Sequence, residues 1–234
     1  TDLDGAGTVC VFERTDAGWA ERERLDRGES TAEDNFGASV AVDGDTALVG
    51  AYNVDIDGRS DAGAAYIFTR RDGAWRRQQK LVAPEARKEA LFGWRVAIEG
   101  DTAVLGAKQR RVDGEQYAGA TYVFTRTEEG WRERQQLTPS APEAWSFFGS
   151  EVVLEGETAF VSAHRESVGD LDSVGTVYVF SRGGDGWTRR QTLQSPDPSG
   201  GDYFGTSVAV AGETALIGAE DHTFDDHDEA GAAY

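Results

Sequence analysis

Apolar and polar residues alternate along the chain in short runs separated by glycine-bearing breaks. Ser39-Val40-Ala41-Val42, Thr46-Ala47-Leu48-Val49-Gly50-Ala51, Ala64-Ala65-Tyr66-Ile67-Phe68-Thr69 and Trp75-Arg76-Arg77-Gln78-Gln79-Lys80-Leu81 are four such runs. Their length and their β-branched and aromatic content predict strands A, B, C and D rather than helices. Asp43-Gly44-Asp45 predicts a tight A–B hairpin and Arg71-Asp72-Gly73 a C–D turn. All five prolines fall between strand D and the next strand A, where they remove no ladder hydrogen bond.

The pattern repeats every 56 residues. Phe36-Gly37, Phe92-Gly93, Phe148-Gly149 and Phe204-Gly205 keep that step, as do Gly50-Ala51, Gly106-Ala107, Ser162-Ala163 and Gly218-Ala219. Trp19, Trp75, Trp131 and Trp187 share it too. A repeated unit of four antiparallel strands predicts an all-β fold, a β-propeller whose blades cover each other's faces, as one domain over residues 1–234. Strand A is rich in small residues and suits the crowded centre; polar strand D suits the rim.

Phe36-Gly37-Ala38-Ser39-Val40-Ala41-Val42 followed by Leu48-Val49-Gly50-Ala51 resembles the FG-GAP repeat, which builds the seven-bladed propeller of integrin α-subunits. The resemblance covers the chain in four copies and implies an adhesion or binding role. Tyr52, Lys108, His164 and Glu220 stand where the family has the proline of Gly-Ala-Pro. The family's calcium loop between strands A and B is absent here. The first segment supplies strands C and D and the last supplies A, B and part of C. Two arrangements stay open: a closed four-bladed ring with a shared blade, or a piece of a larger propeller, for example seven-bladed.

Composition narrows the function. The chain carries 42 acidic and 23 basic residues, a net charge of −19, and only three of the basic residues are lysines. Nucleic acid is excluded as a partner, because phosphate binding needs clustered Lys and Arg. No apolar run nears the ~18 residues that cross a bilayer, so no direct membrane insertion is expected. The acidic, arginine-retaining surface resembles a haloarchaeal-type, halophilic variant. Cys10, the one cysteine, stands at the Tyr66 repeat position and reads as a packing residue.

Candidate chemistry lies in the loops. B–C loops and D–A links fall at one end of an alternating meander, and they differ from copy to copy. Tyr52, Trp94, Arg95, Arg110, Arg111, Tyr117 and Trp145 lie there and form the expected ligand-binding face, because Tyr, Trp and Arg are favoured anchors. The partner is expected to be a protein or glycan, outside the cell or on its surface; the alternatives are a structural subunit of a filament, coat or surface layer that self-associates through blade edges and, after it, a propeller enzyme. Asn53, Asp55, Asp57 and Asp61 alternate around Gly58, a spacing that suits Ca²⁺, although no cofactor is required. The corresponding fourth loop carries Asp221, Asp225, Asp226, Asp228 and Glu229. None of His164, His222 and His227 has an obvious Ser or Asp partner in sequence, so no catalytic residue is assigned.

Overall fold

The computed structural model describes residues 7–28, 33–223 and 230–234. Its regular elements are all strands. β1 (Val9–Thr15) and β2 (Gly18–Leu25) form a hairpin. Three four-stranded antiparallel sheets follow. The first is β3 (Ser39–Asp43), β4 (Thr46–Ala51), β5 (Ala64–Arg71) and β6 (Ala74–Leu81). The second is β7 (Phe92–Glu99), β8 (Thr102–Ala107), β9 (Ala120–Thr127) and β10 (Gly130–Leu137). The third is β11 (Val152–Glu155), β12 (Thr158–Ala163), β13 (Thr176–Gly183) and β14 (Gly186–Leu193). β15 (Phe204–Ala211), β16 (Thr214–Ala219) and the short β17 (Ala232–Ala233) form the last sheet. Each sheet runs in chain order, as a propeller blade does. β16 takes β17, not β1, as its neighbour, so the described strands do not close through a shared blade.

Local chemistry sets the turns. Asp72 and Gly73 both take positive φ (52° and 76°), the mirror-image turn that matches strand twist. Gly44, Gly100, Gly156 and Gly212 take positive φ in the A–B turns.

Packing within a blade centres on the Phe of Phe-Gly. Phe36, Phe92 and Phe148 meet Tyr66, Tyr122 and Tyr178 edge-on, with centroids 5.7, 5.4 and 5.2 Å apart. Such pairs add about 0.5–1.5 kcal/mol beyond the area they bury. Between blades the backbones nearly touch. A Cβ on Gly50 would lie 2.2 Å from the Gly93 carbonyl, and one on Gly106 would lie 2.1 Å from that of Gly149. These contacts explain why Phe-Gly and Gly-Ala share one period: the glycine of one motif packs on the glycine of the other in the next blade. Stacking also creates the core. Trp131 is 2% exposed against the preceding blade, whereas Trp19, at the same repeat position with no such blade among the described residues, is 72% exposed.

Polar contacts at the junctions follow the period too. Asp43, Glu99 and Glu155 end strand A, and each accepts the N–H of the next blade's turn glycine, Gly100, Gly156 or Gly212, at 2.6, 2.6 and 3.0 Å. Part of the acidic excess thus has a structural use.

Candidate functional site

The B–C loops and D–A links are stitched together across blade junctions. Trp145 N–H donates to Gln116 O (2.9 Å), Phe147 N–H to Tyr117 O (3.0 Å) and Phe148 N–H to Ala118 O (2.8 Å). Glu89, Leu91 and Phe92 repeat this with Ser60, Asp61 and Ala62, and Gly201, Tyr203 and Phe204 with Asp172, Ser173 and Val174. The stitch needs left-handed backbone at non-glycine residues: Tyr117 (φ 55°), Trp145 (φ 70°), Phe147 (φ 56°) and Tyr203 (φ 53°). Such conformations are costly for bulky side chains and persist only where surrounding bonds impose them. The loop end is therefore a built surface.

On that surface aromatic rings and cations form one connected network. Tyr52 meets Trp94 at 4.8 Å. Lys108 Nζ lies 3.0 Å from the Trp94 centroid and 5.9 Å from that of Phe147. Phe147 contacts Trp145 at 6.2 Å, and Tyr117 meets Trp145 at 4.4 Å. Phe147 also stacks on His164 at 5.8 Å, and Arg165 spans Phe147 and Tyr203 at 5.7 and 5.2 Å. Arg95 lies 5.4 Å from the Trp94 centroid and pairs with Glu151 at 3.0 Å. Among the described residues neither Lys108 nor Arg165 has a carboxylate within ion-pair distance.

This crowding of cations shifts the titratable groups. Burial, helped by Arg95 and Arg165, pushes the Lys108 amine down to about 8, while the electron-rich face of Trp94 works in the opposite direction. Burial, with Arg165 and Lys108, pushes the His164 imidazole down to about 4, so it is neutral at ordinary pH.

Tyr52, Trp94, Arg95, Tyr117 and Trp145 are thus brought together. Arg111 is exposed in the same B–C loop as Lys108 and Tyr117, at the edge of a polar groove lined also by Arg87, Lys88 and Gln136. Arg110 departs from expectation. It is buried and donates to the Glu85 carbonyl at 3.2 Å, holding a D–A link in place instead of facing solvent. Its repeat position, shared with Val54, Glu166 and His222, lies beneath the exposed surface; the Glu166 carboxylate there accepts from the Tyr178 hydroxyl.

Asn53, Asp55, Asp57 and Asp61 are not gathered into a metal-holding group. Asp57 (φ 50°) and Gly58 form a two-residue turn closed by Ile56 and Arg59, and Asp55 Oδ1 is taken by the Asp61 N–H at 3.0 Å. The same turn forms at Val112–Glu115 and Val168–Leu171, so it follows from the repeat rather than from its acidic content. Among the described residues no three His, Cys, Asp or Glu side chains sit close enough to hold an ion. Asp225, Asp226, His227, Asp228 and Glu229 lie outside the described residues.

The histidines do find partners that their spacing hides. His164 Nδ1 is 2.8 Å from Ser150 Oγ, and buried His222 Nδ1 is 3.1 Å from the Asp202 carboxylate. The Ser150 hydroxyl also donates to Ser162 O at 3.3 Å, and among the described residues no carboxylate orients His164. An acyl-transfer triad uses a carboxylate to orient its imidazole.

Sequence reasoning missed Lys108, Phe147, His164, Arg165 and Tyr203. A signal existed: Tyr52, Lys108 and His164 share one repeat position, and Phe147 and Tyr203 share the position before Phe-Gly.

The family model described as FG-GAP repeat matches residues 19–68, 75–124, 131–180 and 187–234. No curated protein matches the chain.

Proposed function

Because the chain belongs to the FG-GAP repeat family, whose repeats are typical of propeller binding and adhesion modules and which is generally non-catalytic, we propose that it is a non-catalytic binding module working outside the cell or on its surface. It presents the B–C and D–A loop end to a protein or glycan. The observation that carries this reading is the aromatic–cation network from Tyr52 to Tyr203, held by left-handed backbone whose N–H groups at Trp145, Phe147 and Tyr203 are bonded between loops. Trp145, 53% exposed, is its most accessible ring. The acidic surface suits a high-salt environment.

Glycan and extracellular-protein arrays probed with the wild-type chain and with Trp145→Ala/Arg111→Ala test the reading. Binding that the variant loses supports it. Binding that survives the variant unchanged, or no binding on either array, overturns it.

A second reading, a subunit of a filament or coat joined through blade faces, is favoured by Val42 (67% exposed) at one end of the stack and Leu216 (59%) at the other. Sedimentation in molar salt separates the two, since a monodisperse monomer removes the second.

A further inference from the structure

We infer that the part of this face around Lys108, Arg165, Trp94, Phe147 and Tyr203 takes an acidic saccharide, a pyranose ring bearing a carboxylate or sulfate. The inference rests on the binding-module reading and names the ligand class.

The first ground is charge. In a chain with 42 acidic against 23 basic residues, a cation has carboxylates available as partners. Yet Lys108 and Arg95 share the ring of Trp94, and Lys108 and Arg165 share that of Phe147. Among the described residues one carboxylate, Glu151, enters the group, and it serves Arg95. Like charges held together in a partly desolvated place are unfavourable until an anion joins them. The Arg165 fork matches a carboxylate or sulfate, and the Lys108 ammonium adds a point charge.

The second ground is shape. Tyr203 is half-buried, flat and close to Arg165, while Trp94 carries Lys108 on one face and Phe147 stacks on His164 beside it. The negative face of an aromatic ring attracts the polarised C–H groups on the flat side of a pyranose. His164, neutral and tied to Ser150 through Nδ1, keeps its other ring nitrogen for a sugar hydroxyl.

The third ground is what the backbone does not offer. An acidic peptide added as a strand needs open N–H and C=O groups. Here the N–H groups of Trp145, Phe147, Gly201 and Tyr203 are already spent between the loops. Recognition falls to side chains, which suits a sugar. Nucleic acid is disfavoured because two or three cations do not offset a net charge of −19 along a phosphate chain.

The test is calorimetry and tryptophan fluorescence on the full chain in 1 M and 0.15 M NaCl. The probes are a galacturonate oligosaccharide, a sulfated galactan oligosaccharide, a neutral galactan oligosaccharide and poly-L-glutamate. One charged saccharide is expected to bind at least tenfold tighter than the neutral one, and which of the two does so tells carboxylate from sulfate. Lys108→Gln and Arg165→Gln are each expected to weaken it at least fivefold, with Lys108→Arg restoring part of the loss. The exposed Arg165 keeps the test usable if the Lys108 variant misfolds. Equal binding of the neutral saccharide, indifference to both Gln variants, binding of poly-L-glutamate alone, or no binding of any probe overturns the inference. If array binding still depends on Trp145 and Arg111 in that event, the ligand class fails and the loop-face reading stands.

Discussion

The side-chain amide of Gln79 binds the backbone of Trp131 twice. Its nitrogen donates to the Trp131 carbonyl at 2.7 Å, and its oxygen accepts the Trp131 N–H at 2.8 Å. Gln79 sits on the last strand of one blade and Trp131 on the last strand of the next. Gln135 and Trp187 repeat the arrangement at 2.8 and 2.8 Å. In the first copy Glu23 stands at this place and only accepts, from the Trp75 N–H at 2.9 Å. A bulge just before the Gln on each of these strands aims it outward across the junction.

Replacing Gln79 by Ala leaves both Trp131 backbone groups without partners and is expected to cost about 1–3 kcal/mol. Gln79→Glu keeps the acceptor, as Glu23 does, and should lose about half as much. Urea denaturation of the two variants checks the order; equal losses would contradict the two-bond account.

Gly106→Ala should be worse than most core changes, because the added carbon meets the Gly149 carbonyl at 2.1 Å. A loss of about 3 kcal/mol is expected from the forced separation of two blades. The third junction shows a different solution, where Ser162 fills the place and its hydroxyl donates to Gly205 O at 2.5 Å. Ser162→Gly should therefore cost only about 1 kcal/mol, the worth of that bond. Melting curves of both variants decide it.

Acid should destabilise the fold through His164. Its folded value of about 4 lies below the 6.5 of a free imidazole, so between those values the unfolded chain binds a proton that the folded one refuses. The stability from this group is complete above pH 6.5 and is lost as pH falls toward 4. Between pH 7 and pH 4.5 the wild type should lose about 2 kcal/mol more than His164→Gln. An imidazole that titrates near 6.5 by NMR would refute this.

Salt should stabilise the protein. A net charge of −19 repels itself in dilute buffer, and at 1 M salt the screening length falls to about 3 Å. The melting temperature is expected to rise by several degrees between 0.1 and 2 M KCl, as ~1 kcal/mol moves a chain of this size by about 2–4 °C. A flat or falling curve removes the halophilic reading.

The blade pattern was legible because a period exposes equivalence: Phe36, Phe92, Phe148 and Phe204 had to do the same thing four times. Facing was not legible. Arg110 and Arg111 are adjacent in one loop, yet one is buried and the other is exposed; the Arg110 backbone is bonded at both its N–H and C=O, to Ala107 O and Gly119 N–H, which their spacing does not reveal. The Asn53–Asp61 string has the spacing of a cation loop, but positive φ at Asp57 and Asp61 folds it into turns, and the Asp55 carboxylate accepts the Asp61 backbone N–H. Lys108 escaped notice because its position reads as a missing proline. Its importance comes from Trp94 and Phe147, rings contributed by two other segments that sequence does not place beside it.

The double amide bond and the carboxylate-to-turn bond tie each blade only to its immediate neighbours. Cooperativity in such an arrangement is passed along link by link and is not shared all at once. Amide hydrogen exchange should therefore grade along the stack, slowest at β8 and β9 with a complete blade on either side, and quicken by whole 56-residue steps in both directions.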